Sequence, residues 1–168
     1  MDVRFVKVVA LAIVTPVLVS CGTDASMPTQ ATIQLAVVAG ADHGGMPYTT
    51  PMSQEVTSQP VYAGDADGVG HALITINLGQ REVCWDLTAA NVALPATAAH
   101  IHQAPAGVRG GIVVPISPAP DATGQAVGCA FNQDRGLLQE ILVNPEEFYV
   151  NVHTTEYPAG AVRGQLGR

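Results

Sequence analysis

From Phe148 to His153 the side chains alternate strictly: Phe148, Val150 and Val152 are apolar, while Tyr149, Asn151 and His153 carry polar atoms. A period of two belongs to a β-strand with one face in a core and the other turned away from it. The same period runs through Ala72, Ile74 and Ile76, and through Val83, Trp85 and Leu87. Between these runs stand turn signals, drawn from 17 glycines and 12 prolines. Short alternating runs separated by such punctuation predict an all-β domain. About six to eight strands point to an immunoglobulin-like or Greek-key β-sandwich or barrel. Predicted strands cover residues 31–38, 71–77, 82–87, 98–103, 110–116, 148–153 and 161–166. Residues 40–60, with Gly44-Gly45, Pro47, Pro51 and Pro60, lack a clean period and read as an irregular excursion. Residues 121–128 read as a loop leading to Cys129.

One short helix is expected over about 134–142. Asp134 is placed to cap it, and Leu137, Leu138, Ile141 and Leu142 share a face at helical spacing. Asn144-Pro145 ends it. Gly64-Asp65-Ala66-Asp67-Gly68 reads as a turn, because it lacks the alternate ligands and distal glutamate of a calcium loop.

The N-terminus reads as a processing signal rather than as fold. Arg4 and Lys7 precede an apolar run from Val8 to Val19, broken only by Thr15 and Pro16. Leu18-Val19-Ser20-Cys21 resembles a bacterial lipobox, in which the cysteine becomes the lipidated N-terminus. The expected organisation is therefore a lipoprotein signal at 1–20, a flexible tether at 21–30 and a β domain at 31–168. It implies an extracytoplasmic protein held to the membrane by lipid on Cys21. The full chain carries a formal charge of −7. Its one lysine, Lys7, lies inside the signal. A lysine-free acidic domain does not suit nucleic acid, whose binding rests on neutralising phosphates. Cys84 and Cys129 are the remaining cysteines. In an exported domain they are expected to form a disulfide.

Two of the five histidines sit one residue apart in Ala99-His100-Ile101-His102. On a strand, His100 and His102 face one way and Ile101 the other. If that strand neighbours the one ending at His153, three imidazoles converge. Three imidazoles with an open position suit copper or zinc. The competing expectation is a hydrogen-bonded polar cluster of these histidines with Tyr149 and Asn151, and with Arg109 and Arg163 paired to carboxylates. His71 is either a fourth member or a bystander. Each histidine segment runs on through Pro-Ala-Gly to Arg-Gly, at 105–110 and again at 158–164. The chain has no Gly-x-Ser-x-Gly element and no glycine-rich phosphate loop, so a binding or structural role is expected over an enzymatic one.

Several segments together resemble the CHRD domain, named for chordin: Gly64 to Ala72, Val83-Cys84-Trp85-Asp86-Leu87, Ala99-His100-Ile101-His102, and Tyr149-Val150-Asn151-Val152-His153-Thr154 running to Pro158-Ala159-Gly160-Ala161-Val162-Arg163-Gly164-Gln165-Leu166. The resemblance covers about residues 61–168. It implies an extracytoplasmic β module that binds or builds, with its ligand open. The alternative function is a mononuclear copper or zinc protein using His100, His102 and His153. A looser similarity to copper–zinc superoxide dismutase does not extend to its dinuclear site, which needs more histidines than are present here.

Overall fold

The computed structural model describes residues 44–167. The predicted signal, Cys21, the tether, the strand at 31–38 and His43 lie outside the described residues. The elements in chain order are β1 (Met46–Gln54), β2 (Val56–Ser58), β3 (Val61–Ala63), β4 (Val69–Asn77), β5 (Glu82–Ala90), β6 (Ala98–Gln103), β7 (Gly111–Ile116) and β8 (Gln125–Ala130). There follow α1 (Arg135–Val143), a 3-10 turn (Pro145–Glu147), β9 (Phe148–His153) and β10 (Val162–Gln165). Eight strands form one antiparallel sheet in the order β7-β6-β9-β10-β1-β4-β5-β8. The sheet curls until β7 approaches β8, giving a nearly closed barrel. The short strands β2 and β3 form a separate hairpin. The all-β expectation holds, and of its two architectures the barrel-like one forms.

Alternation drives the inner face. Ile74, Ile76, Trp85, Leu87, Ile101, Phe148, Val150 and Val152 share one core, at 0–1 % exposure. The core also takes Leu138 and Ile141 from α1. Asp134 caps that helix by accepting from the Leu137 N–H at 2.9 Å, as its position predicts. Opposite Trp85 on β8 stands Gly128. A Cβ there would lie 3.0 Å from the indole ring, so the bulky side chain sits where its partner has none.

Two expectations are corrected. Of the expected excursion at 40–60, the described part from 44 onward is not irregular, because β1 occupies 46–54 and β2 follows at once. Tyr48, Thr50 and Met52 point inward in alternation, while Pro47, Thr49 and Pro51 face out. Along 46–52 the strand pairs with β4, and its other edge meets β10 only at Ser53–Gln54. Proline, lacking an N–H, is tolerated where a strand edge needs no donor. Nor is 121–128 all loop, since β8 begins at Gln125. The connection is compact because the Asp121 carboxylate accepts from the Thr123 N–H at 2.7 Å and from its hydroxyl at 2.6 Å. Gly124, at φ 81°, completes the turn.

Cys84 and Cys129 stand directly opposite each other on β5 and β8 and are disulfide-bonded. Cys84 points away from the face that buries Trp85, as alternation requires. Among the described residues no helix is long and apolar enough to cross a membrane.

Candidate metal centre

Strands β6 and β9 are antiparallel neighbours, with His100 opposite Asn151, His102 opposite Tyr149 and Ala98 opposite His153. Ile101 and Val150 enter the core, so His100, His102 and His153 share the other face. The His100 Nδ1 lies 3.1 Å from the His153 Nε2. One ring nitrogen from each of the three lies within 4.8 Å of the other two. A register shift beside His102 in the β6–β7 pairing bends the ladder next to the cluster. His71 takes no part: it sits exposed on β4, between Pro51 and Thr88.

Backbone carbonyls face the Nδ1 atoms of two of the rings. The His102 Nδ1 lies 3.0 Å from the Gly110 carbonyl, and the His153 Nδ1 lies 3.1 Å from the Pro158 carbonyl. A carbonyl only accepts, so the His102 Nδ1 carries the proton and that neutral ring keeps its Nε2 lone pair; His153 faces a second acceptor, the Asn151 Oδ1 at 3.0 Å from Nε2, and a neutral ring has one proton for the two. Each histidine thus meets a carbonyl of the segment that follows it, but from different places in the echo, since Gly110 ends the first and Pro158 opens the second. Gly110 is needed for this, since a Cβ there would lie 1.9 Å from the Gln103 carbonyl oxygen. The His102 Nε2 is buried and has no hydrogen-bond partner among the described residues.

The ring of His102 stacks on Tyr149, with centroids 4.8 Å apart and planes 6° from parallel. The Tyr149 hydroxyl accepts from the Gly110 N–H at 3.2 Å. The Arg163 guanidinium lies 3.3 Å from the same tyrosine ring. It donates to the carbonyls of Val108 at 2.7 Å and Pro105 at 2.9 Å and to the Gln165 side chain at 2.8 Å. Among the described residues, Arg163 therefore does not make the expected pairing with a carboxylate. It is buried, and it ties the 105–108 turn to β10 because those carbonyls need donors inside the fold. Arg109 is exposed and lies over the Tyr62 ring at 5.1 Å.

Burial, followed by the neighbouring His153 and His102, pushes His100 down to about 4. Burial also lowers His102, opposed by the Gly110 carbonyl and by the nearby Asn151 carboxamide, which nonetheless makes no hydrogen bond to Nε2. His153 is lowered by burial and partly held up by the Pro158 carbonyl. All three rings are thereby biased toward the neutral form, the one that can coordinate.

Behind the rings lies a residue that the sequence reading passed over. Glu55, 0 % exposed, receives the Asn151 Nδ2 on Oε2 at 3.0 Å. Its Oε1 has no hydrogen-bond partner among the described residues. Burial raises its carboxyl above the usual glutamate range, against the Asn151 hydrogen bond and the charges of Arg163 and Arg109. One signal could have found it: Glu55 is the single charged residue between Met46 and Ala63.

A model of the CHRD domain matches residues 48–166. The chain belongs to the CHRD family. The CHRD match begins inside β1, so residues before 61 are part of the domain, and it spans Glu55 and the three histidines. No curated protein and no solved structure matches the chain.

Proposed function

We propose that this chain is an extracytoplasmic CHRD module, lipid-anchored through Cys21, that binds one copper or zinc ion through His100, His102 and His153. The observation that carries the metal reading is the buried Nε2 of His102. It has no hydrogen-bond partner among the described residues, its ring is pinned through Nδ1, and His102 offers one ring nitrogen within 4.8 Å of one from each of the other two histidines. A buried polar atom without a partner costs roughly 1–3 kcal/mol, and a cation at that point would remove the cost. Three nitrogen donors with one open side suit a d-block ion. The basic start, the short apolar run and Leu18-Val19-Ser20-Cys21 support the anchored location. The disulfide fits an oxidising compartment.

The test is metal titration of untagged protein near neutral pH. About one equivalent of copper or zinc is expected per chain, and His102→Ala abolishes it. Absence of binding by wild type ends the metal reading. Labelling with a fatty acid, lost in Cys21→Ser, checks the anchor.

A further inference from the structure

His153 Nε2 faces two atoms at hydrogen-bonding distance, the Asn151 Oδ1 at 3.0 Å and the His100 Nδ1 at 3.1 Å. The His153 Nδ1 faces another acceptor, the Pro158 carbonyl at 3.1 Å, so a neutral ring has one proton for two acceptors. With that proton on Nδ1, the tautomer a metal ligand through Nε2 needs, the Nε2 lone pair faces an amide oxygen. The amide is oriented that way because its Nδ2 donates to Glu55 Oε2 at 3.0 Å, and a carboxylate oxygen only accepts. Two acceptors 3.0 Å apart repel unless something positive lies between them. His102, whose Nε2 is buried without a partner among the described residues, offers a ring nitrogen within 4.8 Å of those of His153 and His100. Two donors 3.0 Å apart, each about 2.1 Å from an ion, would subtend roughly 90° there, which is an accessible angle between neighbouring ligands.

We infer that Asn151 Oδ1 is the fourth ligand of the centre, and that Glu55 is the positioning residue that turns this oxygen toward the ion. The inference rests on the three-histidine reading and adds the oxygen donor and its support. Glu55 is well built for the task. It is anchored at both backbone groups, its N–H donating to the Ala161 carbonyl at 3.0 Å and its carbonyl accepting from Gly64 at 2.7 Å. Gly160 opens the space its carboxylate fills, since a Cβ there would lie 1.7 Å from Oε2. A buried carboxylate one amide away from the ion also balances the charge the ion brings.

The experiment compares copper(II) and zinc affinity, by chelator competition, with the copper(II) electron paramagnetic resonance spectrum. It uses wild type, Asn151→Leu, Asn151→Asp, Glu55→Gln and His102→Ala. Asn151→Leu is expected to bind ~10–100-fold more weakly with a changed spectrum. Asn151→Asp keeps an oxygen donor but loses the Nδ2–H bond to Glu55 and faces it with a second carboxylate oxygen, so it still binds, with a shifted spectrum. Glu55→Gln retains an acceptor for Nδ2 but removes the buried charge, and weakens binding ~10-fold. If Asn151→Leu does not fold, the Asn151→Asp spectrum decides, because an atom outside the coordination sphere would leave it unchanged. Wild-type affinity and spectrum in both Asn151 variants, with binding still lost in His102→Ala, overturn the fourth ligand and leave the three-histidine site standing. Unchanged affinity in Glu55→Gln, which keeps an acceptor for Nδ2, overturns the charge-balancing part of the Glu55 role. Failure of wild type to bind either metal overturns both readings.

Discussion

Replacing His102 by Phe separates what this ring does for the fold from what it does for a ligand. The ring is 6 % exposed and lies flat on Tyr149, a contact that Phe can keep. In the metal-free protein the substitution removes a buried, unpartnered Nε2, worth roughly 1–3 kcal/mol to the variant. It also removes the Nδ1–H bond to the Gly110 carbonyl, worth about 1 kcal/mol to the wild type. The net expectation runs from no change to about 2 kcal/mol of added stability, where an average substitution would lose about 1 kcal/mol. Metal reverses the order. At a hundredfold excess over Kd the wild type gains about 2.7 kcal/mol and the variant gains none. Urea denaturation of both proteins, with chelator and with copper(II) or zinc, measures all four values. A metal-free variant that loses more than about 2 kcal/mol would refute the reasoning, because Nε2 would then be satisfied in the fold. Equal stabilisation of both proteins by metal would refute it as well.

Three further outcomes are expected. Replacing Cys84 and Cys129 by Ser opens a loop with a sequence separation of 45, which costs about 4 kcal/mol in the chain-entropy model; a denaturant midpoint unchanged from wild type contradicts it. Gly160→Ala forces a Cβ onto the Glu55 carboxylate at a φ of 128°, so about 2–4 kcal/mol of stability is lost together with metal affinity; a variant as stable as wild type would show that Glu55 has room to move. Acid destabilises the metal-free domain. His100 stays neutral in the fold down to about 4, whereas in the unfolded chain it takes up its proton near the ordinary 6.5. The unfolded chain therefore binds more protons between these values, and stability falls as pH drops from about 6.5 to about 4. Glu55, raised by burial, works in the opposite sense, its contribution declining as pH rises above the ordinary glutamate value. Melting temperatures of wild type and His100→Gln across this range check the claim, and identical slopes would defeat it.

Alternation alone placed Ile74, Trp85, Ile101 and Val150 in the core and turned His100, His102 and His153 the other way. The helix followed from Asp134 and four spaced apolar side chains, and the disulfide from the expectation of export with two cysteines left to pair. These are local facts, because a side chain two positions along a strand faces the same side whatever the neighbours do. What pairs with what is not local. β1 was illegible because Gly45, Pro47 and Pro51 are breakers by every short-range rule, and it exists because β4 supplies partners along 46–52 while its other edge needs few donors. The convergence of His153 on His100 depends on the register of two strands some fifty residues apart. So does the reach of Asn151 to Glu55 across 96 residues of chain. Chemistry and facing were written in the order of residues; the distance between charges, lone pairs and carbonyls was decided only when backbone hydrogen bonding closed the sheet and fixed which strands lie side by side.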